Sequence, residues 1–599
     1  MRKRKYYKKD RRGQIICMLI TAFVFMLSVG YGALNEDLTI SGEAHFRVEA
    51  DIRITDVSLY TTTYSALEDY NSSFGKDSMK VGVTLPSNSS SVTYKVTVTN
   101  YGNTSMQLKS ITIEIVYNNY NITFNKTIPL TIGELSSEEI EITFSNNTSV
   151  SQTINANLLF TFEKLEAMMA EGNKNAATTT FYNGPLTKNS IESITFMSTK
   201  EIPEDAVGYW DCSYKTGSNE VIAYYLNSET EGMYDLYIAA DGEVYAPVNS
   251  GYLFQNFNKA VSINFNNSFN TSKVTNMSGY QGGMFYGCSS LLELDVTSFN
   301  TENVTAMGSY TGGMFSGCSK LTELDVSSFN TSKVTDMTGM FSYCVKLEEL
   351  DLSNFDTRNV TLMGGVYGGM FYGCSSVTNI TFGENFKTDK VTNMWTMFDG
   401  CKLLVSLDVS NFNTENVSNM AYMFNDCSAL TTLDVTSFNT SKVNNMNNMF
   451  CNCKALVNLT FGENFITSKV TNMWRMFGRC SKLTKLDLHT FTGEKLTNAK
   501  GIFEQCGALK KINLSNFNLN DGVDMSNMFF HYSSFIEELD IRSMDFEGKT
   551  ITGKPGNLNS ALKSTATVYV KNEYNKEYIE SLKSGITVVI PPEEEVEEG

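Results

Sequence analysis

The stretch that decides the fold is Met284–Met307, MFYGCSSLLELDVTSFNTENVTAM, because the chain repeats it. MFSGCSKLTELDVSSFNTSKVTDM follows from Met314, and MFSYCVKLEELDLSNFDTRNVTLM follows from Met340. Further copies continue the series at intervals of 26, 27 or 30 residues as far as Met528. A motif copied at a nearly fixed period indicates a repeat array with an extended surface rather than a single catalytic centre.

Each copy contains the pattern LxxLxLxxF, which is typical of leucine-rich repeats. Leu324 and Val326 are expected to face inward on a short strand, with Glu323 and Asp325 facing outward, because side chains alternate along a strand. The following segment has apolar residues three apart, which suits a short helix or 3₁₀ turn that returns the chain to the next strand. The 30-residue copies carry a four-residue insertion before the Met, which predicts a loop on one edge of the array.

The copies closely resemble the BspA-like leucine-rich repeats of bacterial surface proteins, as in LDVSSFNTSKVTDMTGMFSYC. FYNGPLTKNSIESITF and YDLYIAADGEVYAPVNSGYLF resemble the N-terminal cap of that family, and ATVYVKNEYNKEYIESLKSGITVVI resembles its C-terminal cap. The resemblance covers about residues 181–590, with a cap at 181–252, the repeats at 253–555, a cap at 556–590 and an acidic tail at 591–599. It implies extracellular protein binding and adhesion, without a cofactor or a reaction.

Residues 35–165 are predicted to form an antiparallel β-sandwich. SVTYKVTVTNYGNTSMQLKSITIEIVYNN alternates apolar and polar residues and contains a turn at NYGNTS. SVGYGALNEDLTISGEAHF resembles, over about twenty residues, the camelysin and biofilm-fibre-subunit family, which implies a jelly-roll able to accept a donated strand. A plain spacer domain is the favoured interpretation, and residues 166–180 are predicted to be a linker.

The N-terminal residues predict the location of the protein. Residues 1–14 are basic, with a net charge of +7 over the first twelve, and residues 15–34 carry no charge. About 20 apolar residues span a bilayer as a helix, and a basic flank stays in the cytoplasm. The sequence therefore predicts a cytoplasmic tail, a transmembrane helix or a signal sequence at 15–34, and an extracellular body at the cell membrane or cell surface.

The composition argues against several classes of function. The chain of 599 residues has a net charge of −18, and an acidic body repels phosphates, so no nucleic-acid partner is expected. Its three histidines, His45, His489 and His531, lie far apart and outside any recognisable catalytic motif. We therefore expect no enzymatic activity, no cofactor and no resident metal.

The outward strand position is the candidate partner-binding face. Aspartate recurs there in seven copies, and Thr381, Thr460 and Asn513 replace it in others. Such a face suits a cationic partner or a calcium ion, although a solvated polar surface is the favoured interpretation. Two tryptophans suit binding anchors, and equally suit fillers of space beside variant strands. The candidate residues are Glu293, Asp295, Glu323, Asp325, Glu349, Asp351, Asp408, Asp434, Asp487, Asp540, Trp395 and Trp474.

Cysteine recurs four residues after the Met position in nine copies, beginning with Cys288. An odd number without Cys-x-x-Cys spacing favours packed thiols over disulfides or a metal site. The additional Cys451 is expected to be exposed.

Together these features predict a multidomain fold: an N-terminal membrane helix, an antiparallel β-sandwich and a leucine-rich-repeat-like solenoid with helical or 3₁₀ returns and two caps. The predicted function is recognition or adhesion at the bacterial cell surface, through binding of an extracellular protein or glycan. The alternative is a structural matrix or fibre component that associates with itself through the β-sandwich. The membrane is a further predicted partner, through the N-terminal helix.

Overall fold

The structure is a computed structural model that describes residues 52–592, except for 64–66, 69–72, 88, 102–105, 116–119, 134–135, 165–166, 173–183, 215–218, 366, 531–535 and 554–555. The predicted basic tail and the predicted membrane or signal segment therefore lie outside the described residues, as does most of the acidic tail. In the described part of the chain, no helix has the length and apolar character of a membrane span.

Two antiparallel sheets form the N-terminal part. The strands are β1 (Ile52–Thr63), β2 (Leu67–Glu68), β3 (Ser73–Phe74), β4 (Ser78–Leu85), β5 (Ser91–Asn100), β6 (Met106–Ile115), β7 (Tyr120–Phe124), β8 (Leu130–Ile132), β9 (Ser137–Asn146) and β10 (Gln152–Lys164). One sheet has the order β1-β5-β9-β7, and the other has the order β2-β4-β10-β6-β8 with β3 beside β4. Their inward side chains share one core, in which Tyr94 meets Phe144 edge to face at 6.1 Å.

The segment that follows the two-sheet part, together with the first repeat copies, forms small parallel, antiparallel and mixed sheets. Its strands are β11 (Ala167–Met168), β12 (Ile191–Met197), β13 (Gly208–Asp211), β14 (Val221–Asn227), β15 (Tyr234–Ala240), β16 (Val244–Tyr245), β17 (Ser262–Asn264), β18 (Phe269–Asn270), β19 (Ser278–Gly279), β20 (Gly282–Gly283) and β21 (Glu293–Leu294). A mixed sheet has the order β13-β14-β15-β12-β17-β21, and β11 joins β16 and β18. Met169 and Ala170, in the predicted linker, are buried beside β11.

The repeats contribute short parallel strands. They are β22 (Glu349–Leu352), β23 (Asn379–Phe382), β24 (Thr432–Val435), β25 (Asn458–Phe461), β26 (Lys485–Asp487), β27 (Lys511–Asn513) and β28 (Ile536–Asp540). β22 pairs with β23, β24 pairs with β25, and β26-β27-β28 continue into β29 (Leu562–Tyr569) and β30 (Thr587–Val589). Successive copies therefore lie side by side in register, and we call residues 250–552 the repeat stack.

A second line of parallel bridges joins the copies at one position of each turn, which is Asn or Asp in most copies and in most copies precedes a Met. It links Asn249, Asn276, Ala306, Asp336, Leu362, Asn393, Asn419, Asn445, Asn472, Asn498, Asp524 and Thr552 in succession. The stack is thus hydrogen-bonded from copy to copy along two separate lines.

The core of the stack consists of columns of identical side chains. The phenylalanines of the Met-Phe pairs stack with ring centroids 5.2–5.9 Å apart and ring planes within 24° of parallel. They are Phe254, Phe285, Phe315, Phe341, Phe371, Phe398, Phe424, Phe450, Phe477, Phe503 and Phe529. One copy alone could not bury these rings, so stacking is the condition for folding.

The prediction of packed thiols is confirmed. All nine column cysteines are free and buried. Each thiol donates to the carbonyl oxygen of the preceding copy's phenylalanine, with Sγ–O distances of 3.0–3.4 Å. Cys451 is also buried, at 5% exposure, so the expectation that it is exposed is wrong.

The C-terminal end of the stack is closed by helical segments that are absent from the copies themselves. α1 (Leu558–Ala561) and α2 (Glu573–Leu582) flank β29. Asn575 of α2 is fully buried, accepts from the N–H of Phe546 at 3.2 Å and donates to Met544 O at 2.5 Å. This side chain satisfies backbone groups that a further copy would otherwise pair with.

The predicted fold class is wrong. The described residues form mostly short strands in small, mixed sheets, with α1 and α2 as the α-helices, and they do not make a clear leucine-rich-repeat solenoid. The predicted side-chain directions in Glu323–Val326 are confirmed, because Leu324 and Val326 are buried whereas Glu323 and Asp325 are exposed. The predicted strand is not, because this segment belongs to no sheet strand of the described chain.

The returning segments are turns and not helices, for a physical reason. A helix needs N–H groups that bond within their own segment, but the N–H of Phe341 donates to Met370 O at 2.9 Å and that of Tyr343 donates to Tyr372 O at 2.6 Å, both in the next copy. Gly339 and Tyr343 also have positive φ angles of 64° and 58°, which interrupt a right-handed helix.

Candidate partner-binding face

The repeat motif places carboxylates on the exposed side of the strand column. In the ELDV segment, Leu294 is buried while Glu293 and Asp295 are exposed. Parallel pairing then carries the same position from copy to copy, as where Glu293 pairs with Ser262. We call the ten carboxylates the acidic face: Glu293, Asp295, Glu323, Asp325, Glu349, Asp351, Asp408, Asp434, Asp487 and Asp540.

The aspartates of this face also have a local structural role. Asp295 Oδ1 accepts from the N–H of Thr297 at 2.9 Å, and Asp325 Oδ1 accepts from the N–H of Ser327 at 2.9 Å. The same bond to the N–H two residues later recurs at Asp351, Asp408, Asp434, Asp487 and Asp540. This Asx turn ends the strand, so part of the aspartate signal in the sequence reflects folding.

The first groove lies where the strand column begins and has a volume of about 520 Å³. Glu293, Asp295, Glu323 and Asp325 contribute carboxylates to its lining. Hydroxyl and amide groups line it further, at Ser193, Thr195, Ser262 and Asn264. The groove therefore combines negative charge with hydrogen-bonding groups on a floor of Ile263, Leu294 and Leu324.

These carboxylates have no ion-pair partner in the described part of the chain. Hydrogen bonds from the hydroxyls of Thr297 and Ser327 hold the pKa of Asp295 and of Asp325 below the ordinary value. Neither aspartate, nor Glu293 or Glu323, forms an ion pair with any residue that the structure describes. Their charge is therefore available to a partner.

A second, smaller groove of about 290 Å³ lies further along the same face. Asp408 and Asp434 line it, together with Ser406, Thr432, Leu407, Leu433, Asn458 and Thr460. The Ser410 hydroxyl lowers the pKa of Asp408, as Thr297 does for Asp295.

At the C-terminal end the carboxylates of the acidic face lie beside basic side chains. Arg542 pairs with Asp540 at 2.6 Å, and His489 lies 3.1 Å from Asp487. The hydrogen bond to Asp487 raises the pKa of His489. The free negative charge thus lies towards the N-terminal copies.

A protein-family model matches the repeats of this chain. A family model described as "Mycoplasma protein of unknown function, DUF285" matches residues 250–378, 367–463 and 458–552, which together span just over half of the chain. The chain belongs to the DUF285 family. A search of curated proteins found no match, and a search of solved structures found no match either. The matched residues of this DUF285 chain are the repeat stack.

The two tryptophans do not join the acidic face. The N–H groups of Trp395 and Trp474 donate to Asn393 and Asn472 at 3.0 Å, so both residues follow the second line of bridges. Neither lines a groove, and the Trp474 ring lies 5.4 Å from the Arg475 guanidinium. The candidate set of this DUF285 chain is therefore not one site.

Several groove residues escaped the sequence analysis. Ser193, Thr195, Ser262 and Asn264 precede the regular copies, and no motif marks them. Asn458 stands at the strand position of Glu293, so alignment of the copies is the signal that identifies it, as it already identified Thr460 at the position of Asp295. Among the described residues, no group of His, Cys, Asp and Glu side chains has the arrangement of a metal site.

Proposed function

We propose that this protein is a recognition or adhesion protein that binds a basic protein partner through the acidic face. The supporting observation is the first groove, of about 520 Å³, which is bordered by four exposed carboxylates that form no ion pair with any described residue. Complementary charge speeds encounter and selects partners, so an unpaired acidic surface favours a partner with positive charge. The proposal assigns no reaction and no cofactor to the protein.

The location of this activity is part of the proposal. The basic residues 1–14 followed by the uncharged residues 15–34 support export, and the resemblance of the copies to BspA-like surface repeats supports display at the cell surface. A protein or glycan outside the cell is the kind of partner that this location provides.

The experiment compares two pairs of substitutions in the full chain. Glu293→Gln with Glu323→Gln removes charge from the first groove, while Glu302→Gln with Glu415→Gln removes equal charge from exposed turns outside both grooves. Binding is measured against immobilised extracellular-matrix proteins and bacterial surface polymers at low and high salt. We expect several-fold weaker binding and a smaller salt dependence for the groove pair only. Equal binding by both pairs and the unsubstituted chain would refute the proposal.

A second candidate function, self-association into a matrix or fibre, is favoured by β1. This strand has twelve residues, lies at the end of the order β1-β5-β9-β7, and exposes Leu59 and Tyr60 at 45% and 53%. A strand at a sheet edge offers backbone groups for addition of another strand. Light scattering of the full chain against concentration tests this candidate. Substitution of Leu59 by Lys is expected to suppress any fibres, and a chain that stays monomeric at all concentrations contradicts it.

A further inference from the structure

The four-residue insertions of three copies each carry a tyrosine between small residues. They occur in the loops MSGYQGG, MGSYTGG and MGGVYGG, each of which precedes a Met-Phe pair. Tyr280, Tyr310 and Tyr367 are 70%, 47% and 56% exposed, respectively. Large aromatic side chains are rarely left so open without a binding role when they occur together.

The three rings form one strip. The centroids of Tyr280 and Tyr310 are 6.2 Å apart with nearly parallel rings, and those of Tyr310 and Tyr367 are 5.1 Å apart at 76°. The 26-residue interval from Met314 to Met340 has no insertion, so Tyr310 and Tyr367 meet across it. We call these three residues the tyrosine strip.

The loop that holds Tyr310 is fixed by hydrogen bonds and close packing. The Ser309 hydroxyl donates to Gly312 O at 2.6 Å, and the Thr311 hydroxyl donates to Tyr280 O at 3.3 Å. Gly312 has a φ angle of 149°, and a Cβ there would lie 2.7 Å from the Tyr286 ring. The Tyr286 ring therefore packs directly against the loop and supports its conformation. This bracing reduces the conformational entropy that binding would otherwise cost.

The chemistry of the strip selects a neutral partner. The three loops contain no charged residue, whereas the whole chain has a net charge of −18. An anionic ligand is repelled by the body of the protein, and a cationic ligand is drawn instead to the acidic face. Gln281 follows Tyr280 and Thr311 follows Tyr310 in the sequence, and their amide and hydroxyl groups can donate and accept hydrogen bonds.

We propose that the tyrosine strip binds an extended neutral glycan. A sugar ring has an apolar C–H face that packs on an aromatic ring and a rim of hydroxyls that bonds to neighbouring polar groups. Tyrosine offers both kinds of contact with little loss of side-chain entropy. With centroids 6.2 Å and 5.1 Å apart, the rings are close enough for one extended chain to contact more than one of them. The ligand and the surface both differ from those of the proposed acidic face.

The test uses the full chain and isothermal titration with four neutral oligosaccharides: cellohexaose, chitohexaose, xylohexaose and mannohexaose. We expect binding of at least one. Tyr280→Ala with Tyr310→Ala is expected to weaken it about tenfold or more, the loss typical of central aromatic anchors. The matched control, Tyr209→Ala with Tyr214→Ala, removes two tyrosines of 66% and 53% exposure elsewhere and should leave binding unchanged.

Further variants separate the outcomes. Tyr280→Phe with Tyr310→Phe keeps the rings and should retain most of the affinity, and Glu293→Gln with Glu323→Gln should retain all of it, whatever its effect on the acidic face. Absence of binding to all four oligosaccharides overturns the proposal, as does binding that survives the alanine pair. Capture of poly-L-lysine through the tyrosines, without any glycan binding, also overturns it and indicates a cation–π surface instead.

Discussion

The stacked phenylalanine column makes a quantitative prediction about stability. Phe424 is fully buried, and its ring lies 5.5 Å from Phe398 and 5.7 Å from Phe450, at interplanar angles of 4° and 3°. Phe529, at the end of the column, stacks on Phe503 alone among the described residues, at 5.5 Å and 24°. Substitution by leucine at either position keeps most of the buried apolar volume and removes the ring contacts.

The expected cost follows from the number of contacts. An aromatic pair contributes about 0.5–1.5 kcal/mol beyond the burial of its area. Phe424→Leu therefore loses about 1–3 kcal/mol from two pairs, and Phe529→Leu loses about 0.5–1.5 kcal/mol from one pair. Phe424→Ala adds a cavity and should cost about 3–5 kcal/mol.

Urea unfolding of the full chain, followed by circular dichroism and by fluorescence, measures these differences. Coincident transitions and unchanged m-values are needed before the midpoints are converted into free energies of unfolding. Equal costs for the two leucine variants, or a larger cost at Phe529, would refute the idea that ring stacking adds to burial. The column would then stabilise the stack through buried area alone.

Three further predictions follow from the interior. The Thr301 hydroxyl donates to Asn330 O at 3.1 Å and accepts from Asn330 N–H at 2.8 Å. Thr301→Val removes both bonds and should lower the free energy of unfolding in urea by about 1–3 kcal/mol, whereas Thr301→Ser should lower it less. Equal losses for the two variants would contradict the hydrogen-bond argument. Burial raises the pKa of the Cys288, Cys374 and Cys506 thiols from 9.0 to about 12. The unfolded chain loses these protons first, so the free energy of unfolding should fall as the pH rises from about 9 to about 12. A free energy of unfolding that stays constant over that pH range, or rapid thiol labelling of the native chain at pH 8, would contradict the burial of these thiols. Burial also raises the pKa of Asp399 from 3.8 to about 7. The unfolded chain therefore releases this proton first, and the free energy of unfolding falls as the pH rises between those two values. Asp399→Asn keeps an acceptor for Asn425, and it should stabilise the protein at pH 8 but not at pH 3.5. An equal gain at both pH values would refute this assignment.

Much of the repeat architecture could be predicted from the sequence because each copy contains the same pattern of apolar and polar residues. Periodic apolar positions identify the buried column, and the constant Cys position predicts packed thiols. The outward carboxylates of the acidic face follow from alternation around residues such as Leu294 and Leu324. These conclusions depend on side-chain periods, which are a property of the chain itself.

The form of the returning segments could not be predicted in the same way. Apolar residues three apart suit a helix, but here the peptide groups of residues such as Phe341 bond to the next copy. Such bonds depend on how closely neighbouring copies approach, which the spacing of residues in one copy does not reveal. The predicted helical returns were wrong because contacts between copies overrode the local period.

The sequence by itself determined which side chains are inside, which are outside and where the copies begin, because burial follows the repeat period. Only the tertiary structure decided which outward residues share a surface. It separated Trp395 and Trp474 from the acidic face, paired Asp540 with Arg542, and brought Tyr310 against Tyr367 across a copy that lacks an insertion. Distance along the chain does not fix distance in space, and the electrostatic and aromatic contacts that select a partner depend on distance in space.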